Sequence, residues 1–189
     1  MAIKIKEIIE VIKKGGVALC PTETVYGLLA DATNDKAVER VFDLKKRPKN
    51  KAIAVFIKNI KEAKKLSFID KQQEKFLKEI WPGKVTVILK RRPGCGLSKK
   101  LFAGKKAIGL RISSSKLVND IIKRINKPLT TTSANISGKP ASTKIKDVLK
   151  QFENQKIRPD LIVNLGNLPE SRPSKVIDLT KKPYKVLRI

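Results

Sequence analysis

Isoleucines at positions 5, 8, 9 and 12 recur at three- and four-residue steps, the spacing of one helix face. Gly15-Gly16 marks the end of that helix. Residues 17–20, Val-Ala-Leu-Cys, form an unbroken apolar run, as a strand covered on both faces requires. Pro21 is expected to break it. Asn34 or Asp35 can cap a helix carrying Val38, Val41 and Phe42 on one side, and Pro48 forbids its continuation. Residues 53–57 read as the next buried strand. The order so far is strand, helix, strand, an α/β unit.

Asp70 and Gln73 have capping-box spacing for a helix that turns Phe76, Leu77 and Ile80 inward. Trp81-Pro82-Gly83 stops it, and 84–90 is rich in β-formers. A basic loop at 91–106 holds Pro93, Gly94, Gly96 and Gly104, and 107–112 is a strand candidate. Serines 113–115 offer caps for a helix with Leu117, Val118, Ile121, Ile122 and Ile125 inward. A short strand at 128–132 runs into Ser133-Ala134-Asn135-Ile136-Ser137-Gly138, followed by a helix at 144–152. Closing strands are expected at 161–164, 175–179 and 184–189. With no internal repeat and no long flexible linker, residues 1–189 are expected to form one α/β domain with a mixed sheet.

Composition narrows the function classes. A chain of 189 residues, 41% hydrophobic, can bury one good core. At 5% aromatics that core rests on Ile, Leu and Val. No apolar run approaches the ~20 residues of a membrane span, and the stretch MAIKIKEIIEVIKK lacks the apolar block of a signal peptide; a cytoplasmic protein is expected. Zero histidines, and cysteines only at 20 and 95, exclude ordinary zinc sites and mechanisms built on an imidazole base. Both thiols are expected to be inert. Catalysis would then rest on positioning, electrostatics and a metal ion carried with a substrate. A net charge of +26 implies an anionic partner such as RNA or a nucleotide. The lysines are spread along an isoleucine-rich chain, so compositional bias supplies part of that excess.

Three stretches could carry chemistry. Lys45-Lys46-Arg47-Pro48-Lys49-Asn50-Lys51 can aim several cations at one point, an Arg fork and mobile Lys charges suiting phosphate; its ordinary reading is a solvated loop. Ser133-Ala134-Asn135 follows a strand, where α/β folds bind ligands, and Ser137-Gly138 would let backbone N–H groups approach a phosphate; its ordinary reading is a polar turn. Pro21-Thr22-Glu23-Thr24-Val25-Tyr26-Gly27 offers hydroxyls to a small polar substrate; a helix-capping turn is the plain alternative. No Walker or Rossmann fingerprint is present.

Taken in order, PTETVYGL, KKRP, WPGKVTVIL, AIGLR and TTSANISGKP closely resemble the YrdC/TsaC family, the threonylcarbamoyl-AMP synthases, from about residue 15 to the last. The resemblance is to the minimal single-domain form, and it implies a twisted, open mixed sheet with flanking helices around a concave basic cavity. It also implies an activity: L-threonine, bicarbonate and ATP, with Mg²⁺ accompanying the ATP, give threonylcarbamoyl-AMP and pyrophosphate. A threonylcarbamoyl transferase complex would then modify the adenosine beside the tRNA anticodon, and contact with tRNA is expected. The family's catalytic pair falls on Lys45 and Arg47. Its ATP-binding positions fall on Lys45, Arg47, Lys51, Ser133, Asn135 and Arg188, and its threonine-binding positions on Thr22, Arg111, Thr131 and Ser174. The protein itself supplies no metal ligands on this reading. Departures from the common pattern are Leu29 in place of the second Gly of Gly-Leu-Gly, Lys51-Ala52-Ile53 in place of Asn-Pro-Leu, and Phe102 in place of a threonine.

This chemistry needs no histidine. The threonine amine attacks bicarbonate or CO₂, and the resulting carboxylate attacks the α-phosphate of ATP; holding both anions in line can supply ~7–11 kcal/mol. Two other readings stand beside it. A non-catalytic protein could use the same cationic cavity for tRNA or double-stranded RNA, with steeply salt-dependent affinity. Carbamoyl transfer in hydrogenase maturation is disfavoured, because no zinc-finger or acylphosphatase segment is present in the chain.

Overall fold

The isoleucine stripe forms helix α1 (Ile5–Lys13), with Ile8 and Ile12 buried and Gly15 left-handed just beyond it. These elements come from a computed structural model that describes residues 5–189. The first four residues of the stretch searched for a leader lie outside the described residues. Strand β1 (Ala18–Pro21) is buried throughout. Pro21 does not interrupt it: as its last residue it pairs with Tyr26, opening a hairpin into β2 (Tyr26–Leu29). Tyr-Gly-Leu-Leu sits directly behind a polar turn, so the apolar pattern alone merged this strand with the turn.

Helix α2 (Asp35–Lys45) starts at Asn34, whose side-chain oxygen accepts from the N–H groups of Lys36 and Ala37. It ends when Lys46 turns left-handed at φ 46° and the N–H of Arg47 reaches the carbonyl of Phe42. Strand β3 (Ala54–Phe56) follows. Next comes α3 (Ile60–Leu66), unforeseen in the sequence because only Ala63 and Leu66 of its seven residues are buried. Helix α4 (Lys71–Ile80) carries the expected Asp70–Gln73 capping box, with both reciprocal hydrogen bonds present.

Strands β4 (Val85–Lys90) and β5 (Ala107–Arg111) flank the basic loop. That loop holds a 3-10 turn, Lys99–Phe102, pinned by buried Leu101 and Phe102. The remaining elements are α5 (Lys116–Ile125), β6 (Leu129–Ser133), α6 (Ile145–Phe152), β7 (Leu161–Ile162), β8 (Lys175–Asp178) and β9 (Lys185–Arg188).

The nine strands make one open mixed sheet in the order β7-β1-β2-β6-β3-β5-β4-β8-β9. Pairs β1–β7, β3–β5 and β4–β8 are parallel and the others antiparallel. The expected strand-helix-strand unit is therefore not a neighbouring pair. Strand β6, more than 70 residues on, lies between β2 and β3.

Residues alternate across the sheet. One face packs Leu28, Val55, Val87, Leu110 and Ile177 with Val38, Val41 and Phe42 of α2 and Leu77 of α4. On the opposite face α1 and α5 pack together over Cys20, Leu29, Phe56 and Leu129. That second layer covers only part of its face. Over β6, β3, β5 and β4 the uncovered positions are Thr131, Ser133, Ala54, Gly109, Ala107 and Thr86, small or hydroxylated residues that line a cavity together with Ile88.

Candidate active site

The cavity encloses about 340 Å³, within the range of small-ligand sites. Its floor is the strip just described. Its walls are the β1–β2 turn, the loop after α2, the segment before β8, and β9. Thr22, Arg47, Arg111, Thr131, Ser133, Ser174 and Arg188 all line it, so one concavity gathers candidates spread over most of the sequence.

The turn end is tightly built. Thr22 Oγ1 donates to the Val25 carbonyl at 2.6 Å and accepts from the Thr24 N–H at 3.2 Å. Gly27 packs closely opposite it: a β-carbon there would stand 3.2 Å from the Thr132 oxygen and from Thr22 Cγ2, a tight fit. Arg111, the last residue of β5, is buried beneath the turn. Its Nε donates to the Gly83 carbonyl at 3.0 Å and its Nη2 to Glu23 Oε1 at 2.7 Å. Ser113 Oγ donates to the other carboxylate oxygen at 2.6 Å. Burial pulls the Arg111 pKa down, while Glu23 opposes that shift. The remaining N–H groups of the guanidinium leave Arg111 able to take a substrate carboxylate. Glu23 belongs to the turn motif, but its partner lies 88 residues away, so no local pattern pairs them.

At the other end Arg47 is half-buried. Its Nε donates to the Lys51 carbonyl at 3.0 Å and its Nη2 to the Ala52 carbonyl at 2.7 Å, which folds the basic loop back against the cavity. Lys51 is exposed and takes part through its backbone oxygen; its side chain is not among those lining the cavity. Lys45 is placed differently from Arg47. It is 2% exposed and stands behind the cavity wall. Its ammonium donates to the carbonyl of Ser133, to the carbonyl of Asn135 at 2.8 Å and to Asn135 Oδ1 at 3.0 Å. Burial, with Arg47 nearby, brings its pKa down to about 7.

Asn135 is also behind the wall, with Oδ1 accepting from Ser133 Oγ and Nδ2 donating to the Lys139 carbonyl at 2.6 Å. Lys45 and Asn135 thus shape the Ser133–Asn135 turn from behind, and Ser133 presents it to the cavity. Arg188 on β9 donates to the Ser174 carbonyl at 2.8 Å and to Ser174 Oγ at 3.0 Å. The Ser174 hydroxyl is in turn 3.1 Å from that of Thr86.

Known proteins can now be set beside this geometry. A sequence model of the Sua5/YciO/YrdC family, described as telomere recombination, matches residues 10–189. The chain belongs to the Sua5/YciO/YrdC family. A relative from Methanocaldococcus jannaschii, provisionally named a threonylcarbamoyl-AMP synthase, is 32% identical over 178 residues, 92% of this chain and 81% of its own length. The Pyrococcus abyssi threonylcarbamoyl-AMP synthase is 31% identical over 94% of this chain and 51% of its own. This chain therefore spans about half of that longer relative. The structure of P. abyssi Sua5 complexed with L-threonine superposes with a TM-score of 0.89 over 98% of this chain and 53% of that one. Escherichia coli YciO, at 27% identity, gives 0.85 over 97% and 87%. The open mixed sheet expected from the family resemblance is the fold observed.

Among the described residues no group of three or more His, Cys, Asp or Glu could hold a metal ion. The charged residues lining the cavity are Arg47, Lys105, Arg111 and Arg188, a donor set that suits anions.

Proposed function

We propose that this chain is a threonylcarbamoyl-AMP synthase, condensing L-threonine, bicarbonate and ATP with release of pyrophosphate. The observation that carries this reading is one cavity with a different kind of anion-binding group at each end. Arg111, Thr22 and Thr131 suit a small amino acid whose carboxylate meets the guanidinium. Arg47 and the Ser133 turn suit an extended phosphate chain, and Arg188 adds a second cation on the wall level with Arg111.

The reaction follows from holding the two together. The threonine amine loses one proton to bulk water and attacks the carbon of bicarbonate; a second amine proton and the bicarbonate hydroxyl leave together as water, giving an N-carboxylate. One oxygen of that carboxylate attacks the α-phosphorus of ATP, the bond to the β-phosphate bridging oxygen breaks, and pyrophosphate departs. Arg47 stabilises charge growing on the phosphates, and Lys45 holds the Ser133–Asn135 turn in place from behind. Mg²⁺ would arrive on the triphosphate and neutralise part of its charge; with no carboxylate cluster in the cavity, phosphate oxygens would be its main ligands. The adenylate would pass to a threonylcarbamoyl transferase complex acting on tRNA, work we place in the cytoplasm, with the cationic surface around the cavity suited to tRNA.

The test is pyrophosphate release from protein, L-threonine, bicarbonate, ATP and Mg²⁺, with each component left out in turn. Release that needs all of them, with an adenylate product seen by mass spectrometry, is the expected result. Release unchanged without threonine or bicarbonate would overturn the proposal. The RNA-only alternative is not favoured, since it gives no role to a concave cavity with a buried arginine at one end.

A further inference from the structure

Four cationic side chains line the cavity, and three are already committed. Arg47 donates to two carbonyls, Arg111 to a carbonyl and Glu23, and Arg188 to Ser174 twice. The fourth is Lys105. It is exposed, and its ammonium has no hydrogen bond or ion pair to any described residue.

The backbone beneath that side chain is firmly held. Leu101 and Phe102 are buried, Ala103 and Gly104 turn left-handed at φ 50° and 75°, and the Lys105 N–H returns to the Phe102 carbonyl at 2.9 Å. The Lys106 carbonyl then accepts from the Arg91 N–H at 3.0 Å. Lys105 is therefore a mobile charge on a fixed base.

Its register places it. Lys105, Ala107, Gly109 and Arg111 recur every second residue into β5, and all four line the cavity. A cation thus stands at each end of this row, at most about 20 Å apart at ~3.3 Å per residue, with two small side chains between. Continuing the parallel register Val55↔Leu110 back along β3 sets Ala52 beside Ala107. The Ala52 carbonyl accepts from the Arg47 guanidinium, so Lys105 stands at the Arg47 end.

We propose that Lys105 is a further phosphate-binding residue of this site, pairing with the β- and γ-phosphates of ATP and neutralising pyrophosphate as it leaves. A lysine suits that place because its flexible stem can follow a leaving group, whereas the braced arginines cannot. The proposal rests on the synthase reading for its substrate, and the test separates the two.

Calorimetric binding of inorganic pyrophosphate and of AMP would be measured on wild type, Lys105→Gln, Lys105→Arg and Lys99→Gln. Lys99 is a control of equal charge from the same loop, lining a separate pocket beside Glu39 and Phe42. Loss of a charge-assisted contact predicts about a tenfold weaker pyrophosphate affinity in Lys105→Gln with AMP binding unchanged. kcat/KM for ATP should fall at least as far and KM for threonine stay level, with Lys105→Arg retaining most of both and Lys99→Gln matching wild type. Wild-type pyrophosphate affinity and kcat/KM for ATP in Lys105→Gln would overturn the proposal, as would an equal loss in Lys99→Gln. If wild type released no threonine-dependent pyrophosphate, the synthase reading would fall, and the pyrophosphate titration would still decide Lys105.

Discussion

Glu23 and Arg111 form an ion pair 2.7 Å long, with side chains 9% and 4% exposed, that ties the β1–β2 turn to the end of β5. The carboxylate is fully engaged, since Ser113 Oγ and the Ser114 N–H also donate to it. Removing one member of a buried pair leaves the other charge uncompensated, at about 3–5 kcal/mol. Glu23→Ala should therefore lower stability by that order in urea denaturation. Glu23→Gln keeps the shape and should lose less. In both, KM for threonine should rise while KM for ATP moves little, because the guanidinium has lost the partner that aims it.

Lys45 predicts a pH dependence of stability. Its folded pKa of about 7 lies below its ordinary 10.5, so between those values the unfolded chain binds more protons than the folded one. Stability from this group must rise with pH across that window, at up to about 1.4 kcal/mol per pH unit. Comparing urea midpoints of wild type and Lys45→Met from pH 6 to pH 10 isolates it. The wild type should gain on the variant above about pH 7 and show no relative slope below it.

Arg47 has two duties that substitutions can separate. Arg47→Ala removes the cavity charge proposed to meet the phosphates and the two donors that fold the loop. Turnover should drop by about 10²-fold or more, with stability down by about 1–2 kcal/mol. Arg47→Lys keeps the charge without the planar fork, so turnover should stay low. An unchanged rate in either variant removes Arg47 from the machinery.

Gly109 tests the cavity floor. A β-carbon there would come within 2.8 Å of Ala54 Cβ, a backbone-anchored atom that cannot swing away. Gly109→Ala should destabilise by about 1–3 kcal/mol and raise KM for both substrates, read from thermal melts and steady-state kinetics.

What could be read from the chain was local. The Asp70–Gln73 box and the Asn34 cap are chemistry within three residues, and each helix end they mark is where the sequence places it. Strand β2 was hidden because four apolar residues behind a polar turn show no period, and α3 because it buries too little to leave a stripe. The site divides the same way. Arg47 and Ser133 line the cavity. Within one basic run, however, Lys45 is buried and Lys51 exposed, a difference set by where the last residue of α2 meets the Ser133–Ser137 turn. The partnership of Glu23 with Arg111 and the place of Lys105 depend on strand neighbours far apart in sequence.

Strand β6 is the sole seam between β2 and β3, and this fixes an order of events during synthesis. The ribosome delivers both flanks of the sheet's middle well before Ser133, so the N-terminal hairpin and the β3–β5–β4 strands must wait as separate pieces. At about 5–20 residues per second, β6 emerges several seconds after β2. Until then their unpaired edges are open to other chains. Stalling or premature release between Arg111 and Ser133 should therefore produce aggregation, and the cavity closes later still, when β8 and β9 bring in Ser174 and Arg188.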